Sequence, residues 1–361
     1  MKKGILFVVA LIICVFIPTF FLAKASSGLY IASKECPQAY VDYAEENVSR
    51  FVLGTGDEMD VTTVSVGTPF SFAQSDANIF YFPVLCDGVI SYLLRVYPNG
   101  TGGYDAVISS FLAEELEALS SLTSAEHPMQ LRMENSSIVA EIDGKTYTLY
   151  TYPQNALPTS SIAARSADQP QYLTLNVKEN SGLSVTPIQS RSNQYKFIGI
   201  DVSEQQPTGT SWCGAYCAAG ILRSIGTATP VGHPTAADVM NIIYPNGYTS
   251  TTMTTPAQLI AAAHEYDVYP IYANYAMSTE FLISELDDVW PVYMKMKDFD
   301  YDIGHDVVLR GYDLRSSVWS IWNPWYNDRY ESFPIGGTYA PASSSVYNYT
   351  YVATIYNWVY E

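Results

Sequence analysis

The second half of the chain changes its hydrophobic period once, and that change limits the folds open to it. Four segments carry helical spacing: Cys213–Ile225, Thr235–Tyr244, Pro256–Tyr266 and Ser278–Val289. Thr255 stands as an N-cap before Pro256, which occupies a first helical position. From there PVYMKMK (291–297), HDVVLRGYD (305–313), SVWSIWN (317–323) and several Tyr-rich pieces up to Tyr360 read as strands. Helices followed by an antiparallel sheet predict a two-layer α+β domain, 197–361, with a cleft between its helical half and its β half.

The first half reads as a separate α+β unit with an antiparallel sheet, from about residue 30 to about 152. CPQAYVDYAEENVSRFV (36–52) places Tyr40, Ala44, Val48 and Phe51 on one helical face. Strands are expected at 61–73, 78–86 and 88–98, and a second helix over 104–122. A hairpin follows, SIVAEI and KTYTLYTY joined by Asp143-Gly144. Residues 153–170 are rich in Pro, Ser and Ala and read as a linker. A short strand at 172–177 precedes a second loose stretch, 178–196, of the polar kind in which proteases cut.

The net charge is -18, with only 18 Lys and Arg against 36 Asp and Glu. A polyphosphate partner would be repelled, so no nucleic acid is expected. The N-terminus carries Lys2 and Lys3, an apolar run over 4–23 and the small-x-small site Ala23-Lys24-Ala25. This predicts a signal peptide, 1–25, and a secreted protein with no stable membrane insertion once it is removed. Pro18 and the cleavage site weigh against an uncleaved anchor, although the run is long.

Export gives the remaining cysteines, Cys36, Cys86, Cys213 and Cys217, an oxidising setting. Cys36 and Cys86 are candidate partners for a disulfide. Cys213 and Cys217 lie four residues apart on one helix, where their Cβ vectors run nearly parallel and do not suit a bridge. No second Cys/His pair stands near them, so no metal is expected. Cys213 begins its helix, where unpaired N–H groups and the helix dipole favour a thiolate. Cys217 lies one turn in, among Ala218, Ala219, Ile221 and Leu222, as a buried inert thiol would.

A nucleophilic thiol needs a base. Of His127, His233, His264 and His305, only His305 opens an apolar strand, just after Gly304. Asn323 follows in WSIWNPW, where Pro324 stops a strand. An Asn carbonyl can accept from the imidazole Nδ1–H and turn Nε2 to the thiol, with the Trp325 indole as a shield. Asp306 neighbours the base, but successive strand residues point to opposite faces, so Asp306 is not expected to orient His305. Upstream, Gln205 and Gln206 are candidate donors to an oxyanion.

Taken in order, these stretches resemble the papain-like cysteine peptidases, and within them the staphopain type secreted by Gram-positive bacteria. The matching pieces are WCGAY (212–216), GHDVV with GY (304–312) and IWNPW (321–325), within 197–361. The resemblance implies a thiol endopeptidase with Cys213 as nucleophile, His305 as general base and then acid, and Asn323 as orienting residue. Gln206 would form the oxyanion hole with the Cys213 N–H. The family glutamine sits six residues before the cysteine, where this chain has Pro207, so Gln206 fits with one extra loop residue. By position and architecture, 26–195 would be an inhibitory propeptide, removed by cutting within about 178–200. Expected partners are protein or peptide substrates and that propeptide, with a protein inhibitor as a further candidate. Other readings are a C39-like or transglutaminase-like acyl-transfer enzyme, and an inactive papain-like surface protein.

Overall fold

The computed structural model describes residues 28–360 except 58–59, 73–77, 100–101, 135–136, 152–193, 208, 226–232, 301, 327–329 and 342–347. The expected signal peptide, the linker 153–170, the strand at 172–177 and nearly all of 178–196 lie outside the described residues.

The first part of the chain supplies β1 (Ile31–Ala32), α1 (Gln38–Thr55), β2 (Ser65–Val66), β3 (Phe80–Cys86), β4 (Val89–Pro98) and β5 (Tyr104–Ser109). Then come α2 (Ala113–Ser120), β6 (Met129–Glu134), β7 (Ser137–Ile142) and β8 (Lys145–Thr151). The second part supplies β9 (Tyr195–Phe197), α3 (Cys213–Ile225), α4 (Ala236–Ile243), α5 (Pro256–His264), β10 (Ile271–Ala273) and α6 (Thr279–Asp287). It ends with β11 (Val292–Asp298), β12 (Ile303–Asp313), β13 (Val318–Trp322), β14 (Tyr330–Pro334) and β15 (Thr350–Tyr356). The class is α+β, as expected, and in the second part the longer strands β11 to β15 follow the helices, while the short β9 and β10 lie before α3 and between α5 and α6.

Local chemistry explains the edges of these elements. α4 and α5 open on capping boxes: Thr235 with Asp238, and Thr255 with Gln258, with Pro256 in the first turn. Asp143 (φ 50°) and Gly144 (φ 73°) both take left-handed backbone, the turn that a two-residue hairpin needs between β7 and β8. In the first helix Tyr40, Ala44, Val48 and Phe51 are all buried, as their spacing predicts. Full burial of a side chain like Phe51 contributes roughly 1.5–3 kcal/mol.

Three expectations need correction. The helix read over 104–122 is a strand, β5, followed by the shorter α2. Residues 104–109 pair along β4 from Tyr104 at Pro98 to Ser109 at Leu93, so cross-strand pairing outweighs their helical spacing. The strand expected at 61–73 is a 3-10 turn at Val61–Thr63 and two residues of β2, because the Asp60 side chain accepts from the Thr62 N–H and caps the turn. The end of the loose segment 178–196 is ordered: β9 pairs with β12, Phe197 opposite Gly311.

The first and second parts share one sheet. Its order is β10-β15-β11-β12-β13-β14-β5-β4-β3-β2, and β14 meets β5 at Ser332 and Ile108. A smaller sheet, β1-β6-β7-β8, stands apart from it. α1 lies across the junction. The Ser332 hydroxyl donates to the Phe51 carbonyl (2.7 Å), and Arg310 Nη1 donates to the Thr55 carbonyl (2.7 Å). The Arg310 guanidinium also donates to Ile198 O (2.8 Å) and lies 3.6 Å from the Tyr330 ring centre. A buried cation thus binds the end of α1, the entry to the second part and the sheet in one cluster.

α3 packs on β12 and β13 at the distance of a glycine. A Cβ on Gly220 would stand 2.4 Å from Trp322 Cζ3, and Trp322 is fully buried. Gly220→Ala is therefore expected to destabilise the protein by about 1–3 kcal/mol through overpacking. Denaturant unfolding with an unchanged midpoint would contradict this contact. Among the described residues, no helix is long and apolar enough to cross a membrane.

Candidate active site

Cys213 is the first residue of α3. Two bonds hold the helix start against the loop 249–250: Ser211 N–H donates to Ser250 O (2.7 Å) and Trp212 Nε1 to Thr249 O (3.1 Å). Gly214 is required here, since a Cβ would stand 2.5 Å from Thr254 Oγ1 and 3.2 Å from Asp306 Oδ2. This tight seat brings the helix start onto β12.

Cys213 Sγ donates to Asp306 Oδ2 at 3.2 Å. The Asp306 backbone N–H points at the same sulfur, so the thiol lies against the peptide that joins His305 to Asp306. Burial pushes the Cys213 thiol well above its ordinary pKa, and the Asp306 carboxylate adds to that. The Asp306 N–H and the Lys295 ammonium pull the other way. Lys295 faces Asp306 across the β11–β12 ladder. Among the described residues, no hydrogen bond joins Cys213 to His305.

His305 belongs to the opposite face of β12. Its Nε2 lies 3.0 Å from Asn323 Oδ1, its ring stacks on Trp325 with centres 4.0 Å apart, and Tyr349 stands 5.6 Å away. The imidazole is 1 % exposed. Burial lowers its pKa to about 4, against the pull of the Asp306 charge and the Asn323 bond, so the ring is neutral at pH 7.

The tautomer is the reverse of the one expected from sequence. The Asn323 amide is saturated on both sides. Oδ1 also accepts from the Trp325 N–H (3.1 Å), while Nδ2 donates to Glu331 Oε2 (3.1 Å) and Tyr339 Oη (2.7 Å). With its NH2 spent on those two oxygens, Asn323 presents only a carbonyl to the ring. Nε2 must carry the proton, and Nδ1 keeps the lone pair.

Both glutamines fasten the 205–210 loop to the turn after β13. Gln205 Nε2 donates to Trp325 O (2.7 Å), and Gln206 N–H donates to Pro324 O (2.8 Å). Gln206 Nε2 donates to Thr210 O (2.7 Å), three residues before Cys213, which leaves the second N–H of that amide for another acceptor. Elsewhere, Cys217 is fully buried, and Cys36 and Cys86 are free thiols rather than a disulfide. His127 pairs with Asp143 in the first part, far along the chain from this cluster.

Residues 190–356 match the Peptidase_C39 like family. The chain is similar to staphopain B of Staphylococcus aureus strains NCTC 8325 / PS 47 and COL, at 24% identity over 250 residues in each case. These alignments cover 62% of this chain and 61% of each relative, so the chain spans under two thirds of the curated relatives it matches. A solved structure described as a C39-like peptidase from Bacillus anthracis aligns at 15% identity and a TM-score of 0.26, over 38% of this chain and 96% of that one. The matched segment is thus similar to cysteine peptidases of the papain-like kind. Cys213 stands at a helix start and His305 in a strand, the elements read from sequence.

Two members of the buried cluster have roles that the sequence did not point to. Asp306 is rightly turned away from the imidazole, yet it is the hydrogen-bond partner of the thiol. Glu331 is 1 % exposed in the strand YESFP, and a lone acid among residues of strand type is the signal that marks it.

Proposed function

We propose that the chain is a secreted thiol endopeptidase made as a zymogen. The buried His305–Asn323 pair, with Cys213 at a helix start against the next peptide of the same strand, carries this reading. The reaction begins once the Cys213 side chain leaves Asp306 Oδ2 and reaches the His305 ring, where its proton passes to Nδ1. The sulfur adds to a peptide carbonyl, and the oxyanion takes donors from the Cys213 N–H and Gln206. The imidazolium returns its proton to the leaving amine, and an acyl-thioester remains. Water, deprotonated by the same imidazole, adds to the thioester and frees the acid and the thiol. Protein or peptide chains are the substrates.

The proposal assigns 1–25 to a signal peptide, 26–195 to an inhibitory segment and 197–361 to the peptidase domain. Support for latency comes from packing. Phe111 of the first part packs against Tyr326 with ring centres 5.4 Å apart, the Tyr326 carbonyl accepts from the Trp322 indole, and Arg310 ties α1 to the sheet. The thiol meanwhile faces Asp306. A C39-like acyl-transfer specificity is the second reading, favoured by the family that 190–356 matches.

The full chain and a form cut within 178–200 should be treated with an epoxysuccinyl thiol-protease inhibitor and weighed intact. A single adduct on Cys213 is expected, forming at least about tenfold faster in the cut form. No adduct in either form would defeat the peptidase reading. Equal rates would defeat the zymogen reading.

A further inference from the structure

We propose that Glu331 is the positioning residue that makes an amide, rather than a carboxylate, the right group at position 323. The inference rests on the peptidase reading and deepens it. Four buried side chains form a line: His305, Asn323, Glu331 and Tyr339, each at most 1 % exposed. The His305 Nε2–H donates to Asn323 Oδ1 (3.0 Å), and Asn323 Nδ2 donates to Glu331 Oε2 (3.1 Å) and to Tyr339 Oη (2.7 Å). Tyr339 in turn donates its hydroxyl proton to the same Glu331 oxygen.

The direction of every bond in this line follows from Glu331. Glu331 Oε2 accepts from both neighbours, as an oxygen of a carboxylate does. It therefore draws the NH2 of Asn323 toward itself and leaves the carbonyl for the ring. A flipped amide would aim its carbonyl at the carboxylate and its NH2 at the Trp325 N–H, losing both bonds in a buried site, and would hold the ring as the Nδ1–H tautomer. The carboxylate also takes the Tyr339 proton, so the Tyr339 oxygen faces Asn323 as an acceptor. Both routes push the amide the same way, and the Trp325 N–H at Oδ1 agrees. The ring is thus held as the Nε2–H tautomer, and Nδ1 keeps its lone pair. β14 supplies Glu331, which pairs with Ile321 of β13, and Asn323 follows the end of that strand directly. A carboxylate at position 323 would oppose the Glu331 carboxylate with no proton between them.

The test uses the full chain, cut as above for kinetics. Asn323→Asp is expected to lower kcat by about a hundredfold, because the new carboxylate opposes Glu331 in a buried site and disturbs the group that holds the ring. Glu331→Gln restores a donor opposite the carboxylate that this change introduces, so the double variant N323D/E331Q is expected to recover at least about tenfold over N323D. A double variant no faster than N323D overturns the proposal. The second measurement is nitrogen-15 NMR of the His305 ring, identified by its loss in His305→Gln. The Nε2–H tautomer is expected in the full chain, with mixed tautomers in Glu331→Gln. An Nδ1–H ring in the unaltered chain, or an unchanged ring in Glu331→Gln, overturns it. The tautomer is read without turnover, so a chain lacking peptidase activity would still test Glu331.

Discussion

Cys213→Ala is expected to remove thiol-dependent peptide hydrolysis, while Cys217→Ala keeps most of it. The two sulfurs lie one turn apart on α3 but in different surroundings. Cys213 stands at the helix start, partly exposed, with the Asp306 N–H and carboxylate on its sulfur. Cys217 is fully buried beside Ala218 and Ala219, and burial drives its thiol well above the ordinary range. A buried thiol offers no surface to a peptide carbonyl. Loss of a covalent nucleophile costs on the order of 10⁶-fold in kcat in comparable hydrolases. Cys217→Ala removes one small apolar group and costs about 1 kcal/mol of stability, typical of a single core change. Turnover of a fluorogenic peptide by both variants checks this. Equal losses would move the nucleophile elsewhere.

Asp306→Asn is expected to raise the reactivity of Cys213 at neutral pH. The sign follows from charge. A carboxylate 3.2 Å from the sulfur opposes a thiolate and accepts the S–H proton, so it favours the neutral thiol on both counts. Asparagine keeps the size and removes the charge. Groups facing the sulfur besides Asp306 are Lys295 and Tyr293 from β11 and Cys217 from α3, and Lys295 remains to favour the thiolate. The alkylation-against-pH curve should therefore move to lower pH. At any pH below the titration midpoint, lowering that midpoint by one pH unit raises the thiolate fraction, and with it the labelling rate, about tenfold. Iodoacetamide labelling of the full chain, in a Cys217→Ala background, measures it. A curve that stays in place, or moves up, would show that burial alone governs the thiol.

Much of the fold was legible because one face of each element is apolar. The Tyr40, Ala44, Val48 and Phe51 stripe predicted α1, and the Thr255-Pro256 start predicted α5 to its first residue. The region 104–109 was misread because its apolar residues suit a helix in isolation. Only the partner strand β4 makes it β5. Similarly, residues 195–197 look loose alone, and they become a strand because β12 offers an open edge at Gly311–Asp313.

The site divides along the same line. Cys213 at a helix start, His305 at a strand start and Asn323 before a proline are local features, and local features are written in neighbouring residues. The sequence by itself therefore determined the four helices of the second half, the strands that follow them and the candidate residues for the chemistry, while β9 and β10 came only with their partner strands. Tertiary structure alone decided which imidazole nitrogen carries the proton, which group holds the thiol, and that strands from both halves share a sheet. Those outcomes depend on Asp306, Glu331 and Tyr339, whose partners lie between 8 and 93 residues away along the chain. Side-chain spacing reports the shape of a single element. It carries no record of what a second element will place opposite, and in a buried site that opposing group sets both charge and hydrogen-bond direction.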